Sequence, residues 1–206
     1  MMGRGMRQRG WNHKVVKLNY TPISRENFRT HKVTVEDLTE EEGKGKGKCL
    51  VLTVPDARGK TVRARMMYEH EHDQIRKEVQ DLCECYMPTK VLEVGFGFGY
   101  TATQFQECGI EKHVIVEAHP QIADDARKWR AQYPDKDIEI VEEFFQDYIY
   151  EEEDYDLIYD DRYELITRDQ NYMSNLRRQG FIRRDDTVAG PTFPCWKVIV
   201  DRGKKE

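Results

Sequence analysis

No apolar run in this 206-residue chain approaches the roughly 18 consecutive residues that a membrane-spanning helix needs. Mean hydropathy is -0.83, so a water-exposed globular fold is expected and a membrane partner is not. No apolar stretch follows Arg4, Arg7 and Arg9 near the start, so no secretory leader is expected. Cysteine is scarce and odd in number: Cys49, Cys83, Cys85, Cys108 and Cys195. An odd count without a leader implies reduced thiols and a cytoplasmic protein. Cys83-x-Cys85 has no second pair nearby, so no metal site is expected. His70-Glu71-His72 sets its histidines at i and i+2, which do not share a helix face, unlike the i, i+4 pair of H-E-x-x-H. Basic charge is not in excess either. Lys and Arg number 33 against 38 Asp and Glu, a net charge of -5. That argues against general affinity for nucleic acid, which rests on phosphate neutralisation, and suits a basic substrate better. The chain has no N-P-P-Y or D-P-P-Y, which removes the usual signature of exocyclic-amine methylation on nucleic acid. It also has no G-x-S-x-G and no P-loop.

What is present divides into an extension and one main domain. Residues 1–45 read as irregular, and Gly43-Lys44-Gly45-Lys46-Gly47-Lys48 reads as a flexible loop. Residues 49–54 and 61–66 read as two strands joined by a turn at 55–60, a hairpin. Residues 1–65 therefore form an N-terminal extension suited to act as a lid or rim, and 66–206 the main domain. Over 69–86, Ile75, Val79 and Leu82 give one apolar helix face, and Pro88 ends it. From there strands and helices alternate: strand 90–94, helix 100–107, strand 113–117, helix 120–133, strands 138–141 and 156–160, helix 171–179, and late strands 187–193 and 196–200. Such alternation implies an α/β fold, a Rossmann-like, doubly wound, mostly parallel sheet with helices on both faces. The acidic run 151–154 reads as a solvated loop. The sequence leaves a homodimer open.

The most informative segment is Val91-Leu92-Glu93-Val94-Gly95-Phe96-Gly97-Phe98-Gly99-Tyr100. An apolar strand runs straight into three alternating glycines and then a helix. A chain that turns sharply at a strand's carboxyl end, with its backbone against a ligand, needs glycine there. The G-x-G-x-G spacing departs from the dinucleotide G-x-G-x-x-G. It favours S-adenosylmethionine, with S-adenosylhomocysteine as product, over a cofactor whose pyrophosphate must be seated. Glu93 within the strand adds to this reading. Glu117, 18 residues after Gly99, closes the next strand, where an acid accepts hydrogen bonds from both ribose hydroxyls. Ala118 follows it at the same edge. Phe144 and Phe145, after the third strand, lie where an aromatic stacks on the adenine, with at least one of the two expected in the core.

These motifs resemble the class I methyltransferases, and more narrowly guanidinoacetate methyltransferase and the fungal-type arginine N-delta methyltransferases. The "EVGFG" form of residues 93–97 carries the first resemblance. His113-Val114-Ile115-Val116-Glu117-Ala118-His119-Pro120 is similar to the "IIEAHP" of the latter group. Met66-Met67-Tyr68-Glu69 resembles their "MxxWE" segment, and Asp156-Leu157-Ile158-Tyr159-Asp160 their "ILYDT" strand end. Together they span about residues 60–165. The resemblance implies an S-adenosylmethionine-dependent enzyme in which Glu69 and Asp160 grip the guanidinium of the acceptor, with Tyr68 and Asp161 beside them and Asp160 also near the cofactor.

The chemistry agrees. A guanidinium presents five donors in a planar fork, and carboxylates match it with paired, charge-assisted bonds. The implied acceptor is a small guanidino compound or an arginine in a peptide. The sequence departs from the family at several points. Tyr68 replaces a Trp, Phe145 stands where a Trp is frequent, and Asp161-Arg162-Tyr163 replaces "TYP". The part after residue 165 is short, which implies an abbreviated sheet. Three other readings stay open: a different O- or amine acceptor, a polyamine-synthase-like aminopropyl transfer, and a non-catalytic module of the same fold.

Overall fold

The computed structural model describes residues 23–38, 47–56, 58–148 and 155–160. Its centre is a parallel sheet. Four strands, β4 (Lys90–Val94), β5 (Lys112–Val116), β6 (Asp137–Val141) and β7 (Leu157–Asp160), lie in the spatial order β6-β5-β4-β7. Both neighbours of β4 run parallel to it, and Val94 pairs with Val116 on one side and Asp160 on the other. The inner strands read as near-continuous apolar runs because both faces of a parallel sheet are covered. Leu92, Val94, Val114, Val116 and Ile158 pack with Phe145 and Tyr155 on one face. Val91, Ile115 and Leu157 pack on the other.

Three helices cover that second face: α2 (His72–Tyr86), α3 (Tyr100–Glu107) and α4 (Pro120–Arg130). Ile75 and Val79 of α2, Phe105 of α3 and Ile122 and Ala126 of α4 join one core. α2 follows a single 3-10 turn at Glu69–Glu71. It ends at Met87, whose left-handed φ of 45° closes the helix before Pro88. α4 starts with a proline in its first turn, where the missing N–H costs nothing, and carries Arg127, Lys128 and Arg130 at its carboxyl end, where they oppose the helix dipole. The helix expected over 120–133 ends three residues sooner, the chain continuing in turns. No described helix is long and apolar enough to cross a membrane. The helix expected at 171–179 and the strands expected at 187–193 and 196–200 lie outside the described residues.

An antiparallel sheet packs against this unit, in the order β1-β2-β3. The hairpin of β2 (Lys48–Pro55) and β3 (Thr61–Tyr68) forms as the alternation predicts, and β3 runs across residue 65. Its turn is held by Asp56 Oδ1, which accepts the amides of Arg58 and Lys60. The pairing slips once. Val51 faces Arg65 and Leu50 faces Met67, so Met66 is an extra residue in β3. The expectation that residues 1–45 are irregular is corrected at two places: α1 (Arg25–Thr30) and β1 (Val33–Asp37) are ordered. A six-residue helix is too short to show periodicity. It holds through Ser24, which caps it by accepting the Asn27 amide, and through burial of Phe28.

At the edge of the sheet away from the glycines, Asp156 accepts the Thr89 and Lys90 amides and the Thr89 hydroxyl at 2.7–2.9 Å. Partial burial opposes ionisation, but these bonds from Thr89 and Lys90 outweigh it and hold the Asp156 pKa below the ordinary 3.8. The stability this brings is present above that value and lost as pH falls through the depressed one. Asp156→Asn should cost on the order of 1 kcal/mol at pH 7, and the difference from wild type should shrink as pH falls through the depressed pKa. Urea unfolding over a descending pH series from 7 checks it; a difference that does not narrow as the pH falls refutes the assignment.

Candidate active site

Strand order reverses at β4, so β5 and β7 diverge from it and a crevice opens at the carboxyl ends. Open parallel sheets bind ligands at this point. Three of the expected site elements meet there. The glycine loop leaves β4, Glu117 ends β5, and Asp160 ends β7 directly beside Val94.

The loop is fixed by backbone bonds on both sides. The Gly95 amide donates to Val116 O at 2.9 Å, and the Phe96 amide to Glu117 Oε2 at 2.9 Å. The Phe96 ring is buried against Trp129, anchoring the loop to the helices. Gly97 has φ of 56°, in the left-handed region, and a Cβ there would lie 2.4 Å from Met67 Sδ. The left-handed backbone therefore favours glycine, and any side chain there would have to displace the Met67 thioether. A Cβ on Gly99 would similarly meet the Phe96 ring at 2.6 Å.

Glu117 is buried, with its second oxygen accepting the His119 amide at 2.7 Å. Burial raises its pKa, while bonds from the backbone amides of His119, Phe96 and Ala118 oppose the rise. A carboxylate so held keeps its orientation beside the loop. Ala118 is half-buried against the main core. Asp160 is 2% exposed. A carboxylate sunk this deep at a strand end suits a cationic partner.

Other expected residues sit elsewhere. Glu93 is on β4, 1% exposed, with Oε2 2.9 Å from His113 Nε2 of β5. Burial pushes the His113 pKa down to about 3, so the ring is neutral. Its Nδ1 accepts from Gln106 Nε2 at 3.1 Å, which puts the ring proton on Nε2, facing Glu93. Glu93 thus belongs to a polar cluster under the helices. Phe145 is in the core of the opposite face. Phe144 is also buried. Its ring lies 6.0 Å from Phe28, and the Arg25 guanidinium sits 4.7 Å over it. Glu69 is exposed, and its Oε2 accepts the Lys48 amide at 2.8 Å. Its charge, after burial, raises the pKa of Tyr100 at the start of α3, which puts it near the loop's far end. The Tyr68 amide donates to Glu71 Oε2, and its ring lies 5.2 Å from His70. Asp161 lies outside the described residues.

Several residues here escape sequence reasoning. Gln121 bonds the backbone of Val33 twice, accepting from N at 3.0 Å and donating to O at 2.8 Å. His119 Nε2 donates to His31 O at 2.8 Å while its Nδ1 accepts the Gln121 amide at 3.2 Å; burial lowers its pKa and keeps the ring neutral. Arg25 pairs with Asp147 at 2.5 Å and Arg29 with Glu142 at 2.8 Å. These contacts dock α1 and β1 on the loop after β6 and on the start of α4. The only local hint is Pro120, which marks a helix start without naming His119 as its cap.

The donor set fits S-adenosylmethionine: a loop with glycine at alternate positions at a strand end, a fixed carboxylate for two hydroxyls beside it, and no pyrophosphate-type glycine spacing. A family model described as guanidinoacetate N-methyltransferase matches residues 59–184, more than half of the chain. A solved structure, a spermidine synthase in complex with the transition-state analogue AdoDATO, is similar at a TM-score of 0.35 and 21% identity. The match covers 63% of this chain and 54% of that one, so the chain spans about half the length of that structure.

Gly97→Ala should cost about 1–2 kcal/mol from the left-handed backbone alone, and more from the clash with Met67. In urea unfolding, the Gly97→Ala, Met67→Ala double variant should be less destabilised than the sum of the single variants by about 1 kcal/mol. Strict additivity would show that the two side-chain positions do not meet.

Proposed function

The chain belongs to the guanidinoacetate N-methyltransferase family, and on that premise we propose that it transfers a methyl group from S-adenosylmethionine to a guanidino nitrogen. The acceptor is a small guanidino compound or an arginine in a peptide, met in the cytoplasm. The observation that carries this reading is the meeting of the glycine loop, Glu117 and Asp160 at the strand reversal.

S-adenosylmethionine supplies an electrophilic methyl on a sulfonium, open to in-line displacement. What remains for the protein is placement. Glu117, oriented by the amides of Phe96 and His119, accepts hydrogen bonds from the ribose hydroxyls. The glycine loop admits the cofactor backbone-close. Asp160 forms a charge-assisted bond to the acceptor's guanidinium, turns one nitrogen toward the methyl, and takes up its proton. Proton removal matters because a guanidinium, with a pKa above about 12, is a poor nucleophile until it loses one.

A second reading keeps the fold and changes the acceptor to another amine. It is favoured by one observation, that Glu69 is engaged with the Lys48 amide. A simple amine needs only one carboxylate.

Calorimetric titration with S-adenosylhomocysteine, followed by turnover on arginine, guanidinoacetate, agmatine and arginine peptides, tests the proposal. Glu117→Ala should weaken binding of S-adenosylhomocysteine by about tenfold or more, since a charged acceptor for the ribose is lost. Unchanged affinity would reject its role. Asp160→Asn should lower turnover at least a hundredfold, in the range typical of removing a positioned acid–base group, and leave cofactor affinity within about threefold. Full activity in that variant would remove Asp160 from the reaction, and methylation confined to non-guanidino amines would select the second reading.

A further inference from the structure

Met67 touches the glycine loop at two successive residues. Its sulfur accepts the Phe98 amide at 3.0 Å, and the same sulfur fills the space in which a side chain on Gly97 would sit. A thioether is a weak acceptor, so this short approach is set by the framework around it. That framework is the irregularity in β3. Ala64 and Met67 both join the main core, although residues three apart in a regular strand face opposite sides. The extra residue at Met66 shifts the phase, so Leu50 pairs with Met67 where Val51 paired with Arg65. Bulges of this kind re-aim a side chain next to a site. Here the re-aimed side chain is 8% exposed and ends on the loop.

We infer that Met67 is a cofactor-positioning residue: its thioether, delivered by the antiparallel hairpin, holds the glycine loop in the curve that receives S-adenosylmethionine. The inference rests on the methyl-transfer reading above. It gives the hairpin a role in the cofactor half of the site, and it makes the bare Gly97 a requirement of the sulfur as much as of the ligand.

Two substitutions in the full chain separate bonding from packing. Met67→Leu conserves volume and removes the acceptor; Met67→Gln keeps the length and offers an amide oxygen. Titration with S-adenosylhomocysteine and amide hydrogen exchange at Phe98 are the readouts, with urea midpoints as control. Met67→Leu should bind about five- to tenfold more weakly, the loss expected when a loop amide gives up its partner, and Phe98 should exchange faster. Met67→Gln should recover both. In the wild type, the Met67 methyl resonance should shift with the same midpoint as the Phe98 amide during titration, a readout independent of how either variant folds. Wild-type affinity and Phe98 exchange in Met67→Leu, no recovery in Met67→Gln, or a methyl resonance indifferent to the ligand would each overturn the inference. A wild-type chain that binds no S-adenosylhomocysteine would instead overturn the methyl-transfer reading.

Discussion

The Glu117 carboxylate, clamped between the amides of Phe96 and His119, is the contact on which the candidate site depends. Each oxygen is held from a different loop, one leaving β4 and the other entering α4. Burial makes a carboxylate expensive, and only fixed donors offset the cost. The two loops are thereby held to each other through one side chain. The glycine curve, the start of α4 and the end of β5 are set together, before any ligand contributes.

From this clamp the order spreads to the extension. His119, whose amide closes the clamp, sends its ring to His31 O, and Gln121 two residues on grips Val33 from both sides. Phe28 then reaches both the His119 ring and Phe144. A second route runs through β3, where Met67 meets the far side of the same loop. The antiparallel sheet and α1 are therefore continuous with the core of the parallel sheet. They are tied to the glycine loop and to the start of α4 by packing and hydrogen bonds.

The parts of this arrangement legible in the sequence are those that repeat or punctuate. Apolar runs gave β4, β5 and β7, the alternating glycines gave the loop, and the acid closing β5 gave Glu117, because each expresses a local steric or burial rule. Asp160 was readable from its place at a strand end. The rest depends on partners distant in sequence. Glu93 shares its strand with the glycine loop, yet what it meets is decided by His113 on the neighbouring strand, and no local pattern shows that a histidine there is buried and neutral. The engagement of Glu69 by a backbone amide at Lys48 is invisible for the same reason. α1 and β1 hold by docking, so their own composition, polar and short, reads as irregular. Phe144 and Phe145 are adjacent and equally apolar, and the turn after β6 sends one to each of the two core clusters, an assignment no local pattern shows.

The order β6-β5-β4-β7 also bears on how the chain is made. β4 lies inside the sheet, yet one of its neighbours is the next strand in sequence and the other ends at Asp160, 66 residues beyond Val94. Chain emerging from a ribosome in sequence order can pair β4 with β5 and β6 early, leaving the other edge of β4 bare. That edge belongs to an apolar strand, the type that templates intermolecular pairing when uncovered. Pairings of such long separation are slow to close. The strand that carries Asp160 is therefore also the one that covers this edge of β4, so a single late event both pairs the central strand on its second side and completes the crevice.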